Sequence, residues 1–287
     1  MLKILFTFTI LVNIAFAQKL DDRRKQILAI VEDELDEVTK LAKQEDFRSP
    51  DTLLRISELN LEKARLWRET ENEQYLALPA EERQKVTKSD YFKRSSQYFD
   101  VANDSAETVV KRFPNYKAIG EVYYILAYNY KELGRHELAQ KYFQLSDKKS
   151  SPSSKIAVKS KTAQADYYFN AHKYKEAIPL YETSLNKTTE KWWTKDAFNL
   201  AWCYYRTQKY DKAISLMRDI HKKSSNNKFI DMRGQVERDI GVFYVDSGRM
   251  NEAVKFYESL GMNYTEQFIK IANAITTQGR FSQAESL

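Results

Sequence analysis

The chain has 287 residues, 43% of them hydrophobic and 30% charged, a balance that excludes both a wholly disordered protein and a polytopic membrane protein. Only 7 Gly and 5 Pro punctuate it, too few for the tight turns of an all-β sandwich, while Ala, Leu, Glu, Lys, Gln and Arg recur throughout and favour helix. The formal charge of +6 is mild, falls to +5 without Lys3, and gives no reason to expect a nucleic-acid partner.

The N-terminus reads as an export signal. Residues 1–17 carry one positive charge at Lys3, an apolar stretch from Ile4 to Ile14, and then Ala15, Phe16 and Ala17, the small-x-small pattern of a cleavage site. A cut after Ala17 would leave Gln18 as the new terminus. The apolar run is shorter than the about 20 residues a spanning helix needs. No cysteine follows it to take a lipid. These residues predict a periplasmic or secreted protein with no transmembrane span after cleavage.

Residues 18–48 hold Leu28, Val31, Leu35, Val38 and Ala42 at alternating steps of three and four. That stripe predicts an amphipathic, coiled-coil-like helix, which either docks on the helices that follow or self-associates through residues 18–46. Residues 49–118 then predict two long helices. Ser49 is a good cap with Pro50 at the first helical position, and Phe113-Pro114 suits the end of the pair.

From 119 to 287 one spacing recurs five times. Small residues stand at Ala127, Ala165, Ala201, Gly241 and Ala272, and twelve positions after each stands another: Ala139, Ala177, Ala213, Ala253 and Ala284. Three positions beyond the first small residue comes Tyr130, Tyr168, Tyr204 or Tyr244, with Ile275 in the last copy. Four before the second comes a basic residue, Arg135, Lys173, Lys209, Arg249 or Arg280, preceded in three copies by Gly134, Gly248 or Gly279. Four after it comes Phe143, Tyr181, Met217 or Tyr257. Short side chains let two consecutive helices approach where they cross, large ones fill the space beside the crossing, and glycine suits the turn between them. The unit is helix, tight turn, helix.

On these residues the chain resembles the tetratricopeptide repeat family, whose unit of about 34 residues has small residues at its eighth and twentieth positions, tyrosine at the eleventh and an aromatic at the twenty-fourth. The resemblance implies an all-α fold: a right-handed superhelical solenoid of about five repeats over 119–287, the last incomplete, with an extended N-terminal helical region. Ser57 and Ala102 can be laid on the eighth and twentieth positions of an atypical, elongated pair in 49–118. The longer spacings between repeats place the extra residues in connections at Asp147–Lys155 and Lys222–Lys228.

No residue pattern points to catalysis. His136, His172 and His221 lie far apart and make no ligand set with Cys203, the single cysteine, which sits in an apolar run. Neither a phosphate-cradling glycine loop nor a His-Glu-x-x-His is present. No enzyme activity, cofactor or metal is therefore expected. By resemblance, the first helices of the pairs line a concave groove. The groove positions fall on Tyr124, Tyr128 and Lys131, on Lys159, Asp166 and Phe169, on Lys195, Phe198, Trp202, Tyr205 and Arg206, and on Gln235, Arg238 and Val242. Aromatics with a few cations suit an extended or helical peptide, although each aromatic could equally pack within its own repeat. The expectation is a non-enzymatic scaffold that assembles a cell-envelope complex from protein or peptide partners. The alternative is an accessory factor that binds peptidoglycan or another anionic envelope polymer through basic loops, using Lys148, Lys149, Lys155, Lys159 and Lys161 or Lys222, Lys223 and Lys228.

Overall fold

The computed structural model describes the backbone of residues 2–44, 49–277 and 279–285, and side chains from Asp21 onward except those of residues 44, 88, 274 and 283. The expected leader, with its cut after Ala17, lies outside the residues whose side chains are described. Every regular element among the described residues is helical. The helices are α1 (Leu2–Gln44), α2 (Pro50–Ala77), α3 (Ala80–Arg83), α4 (Lys88–Tyr91), α5 (Lys93–Arg112), α6 (Ile119–Glu132), α7 (His136–Lys149), α8 (Lys155–Asn170), α9 (Tyr174–Leu185), α10 (Trp193–Arg206), α11 (Tyr210–Lys223), α12 (Arg233–Asp246), α13 (Met250–Ser259), α14 (Tyr264–Thr277) and α15 (Phe281–Glu285). They form two compact units, residues 1–151 and 152–287.

In the first unit α2 begins as its sequence dictates: the Ser49 hydroxyl accepts from the Thr52 N–H at 3.1 Å, and Pro50 takes the first helical position. α2 and α5 run antiparallel. Their crossing is marked by the buried Ser57, whose Oγ donates to the Ala102 carbonyl at 2.8 Å. Further along, Phe92 takes the N-cap position of α5 and offers no capping side chain. The buried Glu71 of α2 supplies the acceptor instead, receiving the N–H of Arg94 at 3.0 Å and of Ser95 at 3.3 Å. A carboxylate at a helix N-terminus satisfies orphan donors and suits the helix dipole. α1 lies antiparallel on α2, with Val31 buried and ion pairs Arg24–Glu73, Lys63–Glu32 and Arg55–Glu34 in order along the contact. The stripe at Leu28, Val31, Leu35, Val38 and Ala42 is buried or half-buried, so docking is the arrangement that α1 adopts.

The paired helices that follow share one turn. In each, the N–H of the basic residue donates to the carbonyl five residues before it: Arg135 to Tyr130 at 2.8 Å, Lys173 to Tyr168 at 2.8 Å, Lys209 to Tyr204 at 2.8 Å, Arg249 to Tyr244 at 2.9 Å and Arg280 to Ile275 at 3.2 Å. This is the six-to-one bond of a Schellman ending, which requires one residue in the left-handed region. Gly134, Gly248 and Gly279 take it at φ 73°, 70° and 76°. His172 and Gln208 take it at φ 58° and 60° in the two copies without glycine, at a cost of order 1 kcal/mol each.

The crossings are as tight as the spacing requires. Ala127, Ala139, Ala165, Ala177, Ala201, Ala213 and Ala253 are at most 3% exposed. At Gly241 a Cβ would come within 2.1 Å of Ile271 Cδ1 and 2.7 Å of Tyr257 Oη. The last pair, Ala272 and Ala284, is only half-buried. Phe143, Tyr181, Met217 and Tyr257 are buried beside the crossings. The tyrosines after the first small residue do more than fill space. Tyr130 Oη donates to Glu107 of α5 at 2.7 Å, and Tyr204 Oη donates to Glu182 of α9 at 2.5 Å, so each pins its helix to the preceding one.

Two connections are shorter or placed differently than expected. α7 continues through Lys148 and Lys149, α8 starts at Lys155, and α11 continues through Lys222 and Lys223. Most of the clustered lysines therefore sit on helices rather than in loops: Lys148, Lys149, Lys222 and Lys223 close α7 and α11, where a helix C-terminus favours cations, and Lys155, Lys159 and Lys161 lie in α8. The connections proper are residues 150–154 and 224–232.

Ala177→Trp should overpack its crossing and destabilise the second unit by about 1–3 kcal/mol or more. Gln208→Gly should relieve the left-handed residue and raise stability by up to about 1 kcal/mol, because strain relief exceeds the added chain entropy. Thermal and urea unfolding measure both, and an unchanged midpoint in Ala177→Trp would contradict the register.

Candidate functional site

The first helix of each pair, here the A helix, carries every groove residue expected to meet a protein or peptide partner. In the first unit these are Tyr124, Tyr128 and Lys131 on α6. Tyr124 is half-buried with its ring edge-on to Phe143, centroids 5.8 Å apart. Tyr128 lies under the Arg65 guanidinium of α2, 4.2 Å from the ring centroid, and burial raises both phenols. Lys131 is exposed. Arg65 is a residue the sequence did not single out, because the turn spacing that fixes the repeats gives no register to the long α2.

In the second unit α10 brings Trp202 and Tyr205 together with Phe243 of α12, and Phe198, one turn before Trp202, packs against the same core. Tyr205 stacks on Phe243 with centroids 4.4 Å apart and rings 7° from parallel, and Trp202 meets the same ring edge-on at 5.0 Å. Arg206 lies 5.5 Å from the Trp202 ring centroid and 5.7 Å from that of Tyr205. The Tyr205 hydroxyl donates to Asp246, which also pairs with Arg280. Burial first, then Asp246, pushes the Tyr205 phenol up to about 12. Trp202, Tyr205 and Phe198 are half-buried, so they join the A helices and still present an edge to solvent. Phe243 is buried and serves as the platform for Trp202 and Tyr205. Its place two positions after Gly241 carried no signal on its own.

The remaining positions are divided. Lys159, Gln235 and Arg238 are exposed, and Lys195 and Phe169 are half-exposed, Phe169 edge-on to Tyr174 at 5.9 Å. Arg238 and Val242 line a cleft of about 270 Å³ with Met262, Lys270 and Ile271. A larger open cleft of about 870 Å³ lies among α9, α10 and α11, floored by Leu185, Trp193, Leu200 and Leu216 and flanked by Glu182 and Lys212. It is built mainly by the second helices, where the sequence gave no reason to look.

One polar cluster separates α8 from α10. Asp166 Oδ1 accepts the Tyr181 hydroxyl at 2.5 Å and the Asn199 Nδ2 at 3.4 Å. Asp196, one turn before Asn199 on α10, is 9% exposed, and its nearest cation is Lys195 at 3.9 Å. Burial, then repulsion from Asp166, pushes the Asp196 carboxyl up to about 7. Burial likewise raises the Cys203 thiol to about 12, which keeps it protonated and unreactive. Among the described residues, no three His, Cys, Asp or Glu are grouped to hold a metal ion, and no helix is long and apolar enough to cross a membrane.

Residues 120–148, spanning α6 and α7, match the tetratricopeptide repeat model, and residues 170–230, spanning α9 to α11, match the model described as anaphase-promoting complex, cyclosome, subunit 3. These matches support tetratricopeptide-type repeats in the two segments 120–148 and 170–230. Among solved structures it is similar to BtubC (BKLC) from P. vanneervenii, at 17% identity and a TM-score of 0.49, over 92% of this chain and 87% of that one. It is similar also to the apo form of RapI, at 17% identity and a TM-score of 0.45, over 89% and 77%. The apo quorum sensor NprR from B. thuringiensis aligns at 15% identity and a TM-score of 0.42, over 91% and 81%. Comparison with curated proteins gives no match.

The raised carboxyl of Asp196 makes stability pH-dependent with a definite sign. Between about pH 4 and pH 7 the folded chain holds a proton that the unfolded chain has released, so stability falls as pH rises, by about 1.4 kcal/mol per pH unit, and levels off above pH 7. In Asp196→Val this loss should vanish. Urea unfolding from pH 4 to 8.5 should show the variant gaining on the wild type across that window, and parallel curves would contradict the assignment.

Proposed function

We propose that this protein is a non-enzymatic scaffold that binds protein or peptide partners along the A-helix face of its second unit. The observation that carries the reading is the surface built by Trp202, Tyr205 and Phe243 under Arg206. Half-buried aromatic rings held rigidly by a buried platform, with a guanidinium alongside, are the composition that dominates interface energy. Rigid rings lose little conformational entropy on binding, so contact area converts to affinity efficiently. The tetratricopeptide repeats support protein binding as the general role.

Export and a place in an envelope complex belong to the same proposal and rest on the residues of the leader, with Lys3, the apolar run and Ala15-Phe16-Ala17. The basic-polymer reading ranks second because several of its lysines are engaged: Lys155 pairs with Glu190 at 2.9 Å and Lys223 with Asp219 at 2.6 Å.

Crosslinking in cells followed by identification of captured proteins should recover partners whose yield drops at least tenfold in Phe198→Ala/Trp202→Ala and survives high salt. Capture that persists in the double variant but disappears with salt alone would favour the lysines. The secreted chain should begin at Gln18, and an intact mass that retains residues 1–17 would remove the export reading.

A further inference from the structure

The start of α10 sets two tryptophans side by side and treats them differently. Trp193 turns inward, and its indole Nε1–H donates to the Leu185 carbonyl at 3.3 Å. Trp192 stays 58% exposed. It occupies the N-cap position of α10, where Ser, Thr, Asp or Asn would supply an acceptor that an indole does not have. A tryptophan in that place gives the fold neither a cap nor burial, although this side chain is highly buried on average. Its reason lies outside the fold.

The surroundings are basic and held in place. The connection 186–192 is tied to its neighbours by three bonds: the Lys187 ammonium donates to the Pro152 carbonyl at 2.9 Å, the Ile230 N–H donates to the Lys191 carbonyl at 3.0 Å, and the Lys228 ammonium donates to Thr189 Oγ1 at 3.3 Å. Lys187, Lys191 and Lys228 are exposed beside the indole. The acids of these connections are already engaged, Glu190 with Lys155 at 2.9 Å and Asp231 with Arg233 at 2.6 Å. Lys187 and Lys228 bond neutral oxygens, and Lys191 meets no carboxylate among the described residues, so three positive charges stay uncompensated around Trp192.

This composition distinguishes between kinds of partner. Protein interfaces are depleted in lysine, whereas an indole among ammonium groups suits a membrane–water boundary, where the amphipathic ring sits at headgroup depth and lysines meet anionic phosphates. We propose that this edge of the second unit docks on the surface of an anionic phospholipid bilayer, with Trp192 seated among the headgroups and Lys187, Lys191 and Lys228 on their phosphates. One ring and three charges give reversible attachment rather than insertion. The surface is separate from the aromatic face, because Trp192 precedes the first turn of α10 and Tyr205 lies in its last. Loops already bonded to one another present the ring without further ordering, which lowers the entropy lost on docking.

The test uses the full chain with vesicles of phosphatidylcholine alone and with about one-third phosphatidylglycerol, a fraction that gives the surface a negative potential. Affinity for the anionic vesicles should exceed that for the neutral ones by about tenfold or more, and Lys187→Gln/Lys191→Gln/Lys228→Gln should remove most of that excess. Residues 1–17 are common to every arm, so the location of the contact is read from fluorescence. Phosphatidylcholine brominated near the headgroup should quench part of the tryptophan emission, and that part should be missing in Trp192→Ala, restored in size of binding though not in signal by Trp192→Tyr, and retained in Trp202→Phe. Equal affinity for the two vesicles, quenching unchanged in Trp192→Ala, or quenching lost in Trp202→Phe would overturn the proposal. So would binding to soluble dextran sulfate that ignores Trp192→Ala while the vesicles cause no quenching, which would make the edge a contact for polyanions and not for lipid.

Discussion

The interaction on which the rest of this structure depends is the close approach of two helices over a pair of small residues. Seven alanines at these crossings have almost no exposed surface, and Gly241 could not accept even a methyl group without meeting Ile271 and Tyr257. Close approach fixes the distance between helix axes, and dispersion contacts collected along the crossing then favour one angle over others. The larger residues follow from that geometry. Phe143, Tyr181, Met217 and Tyr257 can be buried beside the crossings only because the crossings themselves are narrow.

The turn between paired helices is the second half of the same constraint. A left-handed residue followed by a basic one, with the six-to-one bond back to the tyrosine or isoleucine carbonyl, recurs in all five copies. The basic residue therefore serves through its backbone N–H, and its side chain is left for surface pairing, as in Arg249 with Asp211 and Glu252. The tyrosine is used twice: its carbonyl closes the turn, and in Tyr130 and Tyr204 its hydroxyl binds a glutamate of the preceding helix. Such hydroxyl–carboxylate bonds, partly buried, are worth more than the exposed lysine–acid pairs elsewhere on the surface.

The A-helix face of the second unit shows how one set of side chains can serve stability and recognition together. Trp202 and Tyr205 lie on one helix and Phe243 on another, so the rings that hold α10 and α12 together also form the surface a partner would meet. Asp196 is the exception to this economy. It weakens the seam between α8 and α10 wherever it is ionised, and the fully buried Val122 and Val236 at the equivalent place in two other repeats show that the fold does not require an acid there.

By itself the sequence determined the repeat: the twelve-residue interval, the turn with its glycines and the buried aromatics beside the crossings were legible, because helix periodicity and steric size act over short stretches of chain, whereas it left open whether Trp202, Tyr205 and Phe198 pack or face outward. It also located the start of α2 at Ser49-Pro50 and the apolar stripe of α1. What only tertiary structure decided were contacts between residues distant in sequence. Phe243 became a platform, Arg65 a lid on Tyr128, Glu71 a cap for α5 and Asp196 a buried acid, although each had ordinary neighbours in the chain. Burial, and with it the energy of a charge or a ring, depends on which helices meet, and that is set by summed packing rather than by any local pattern.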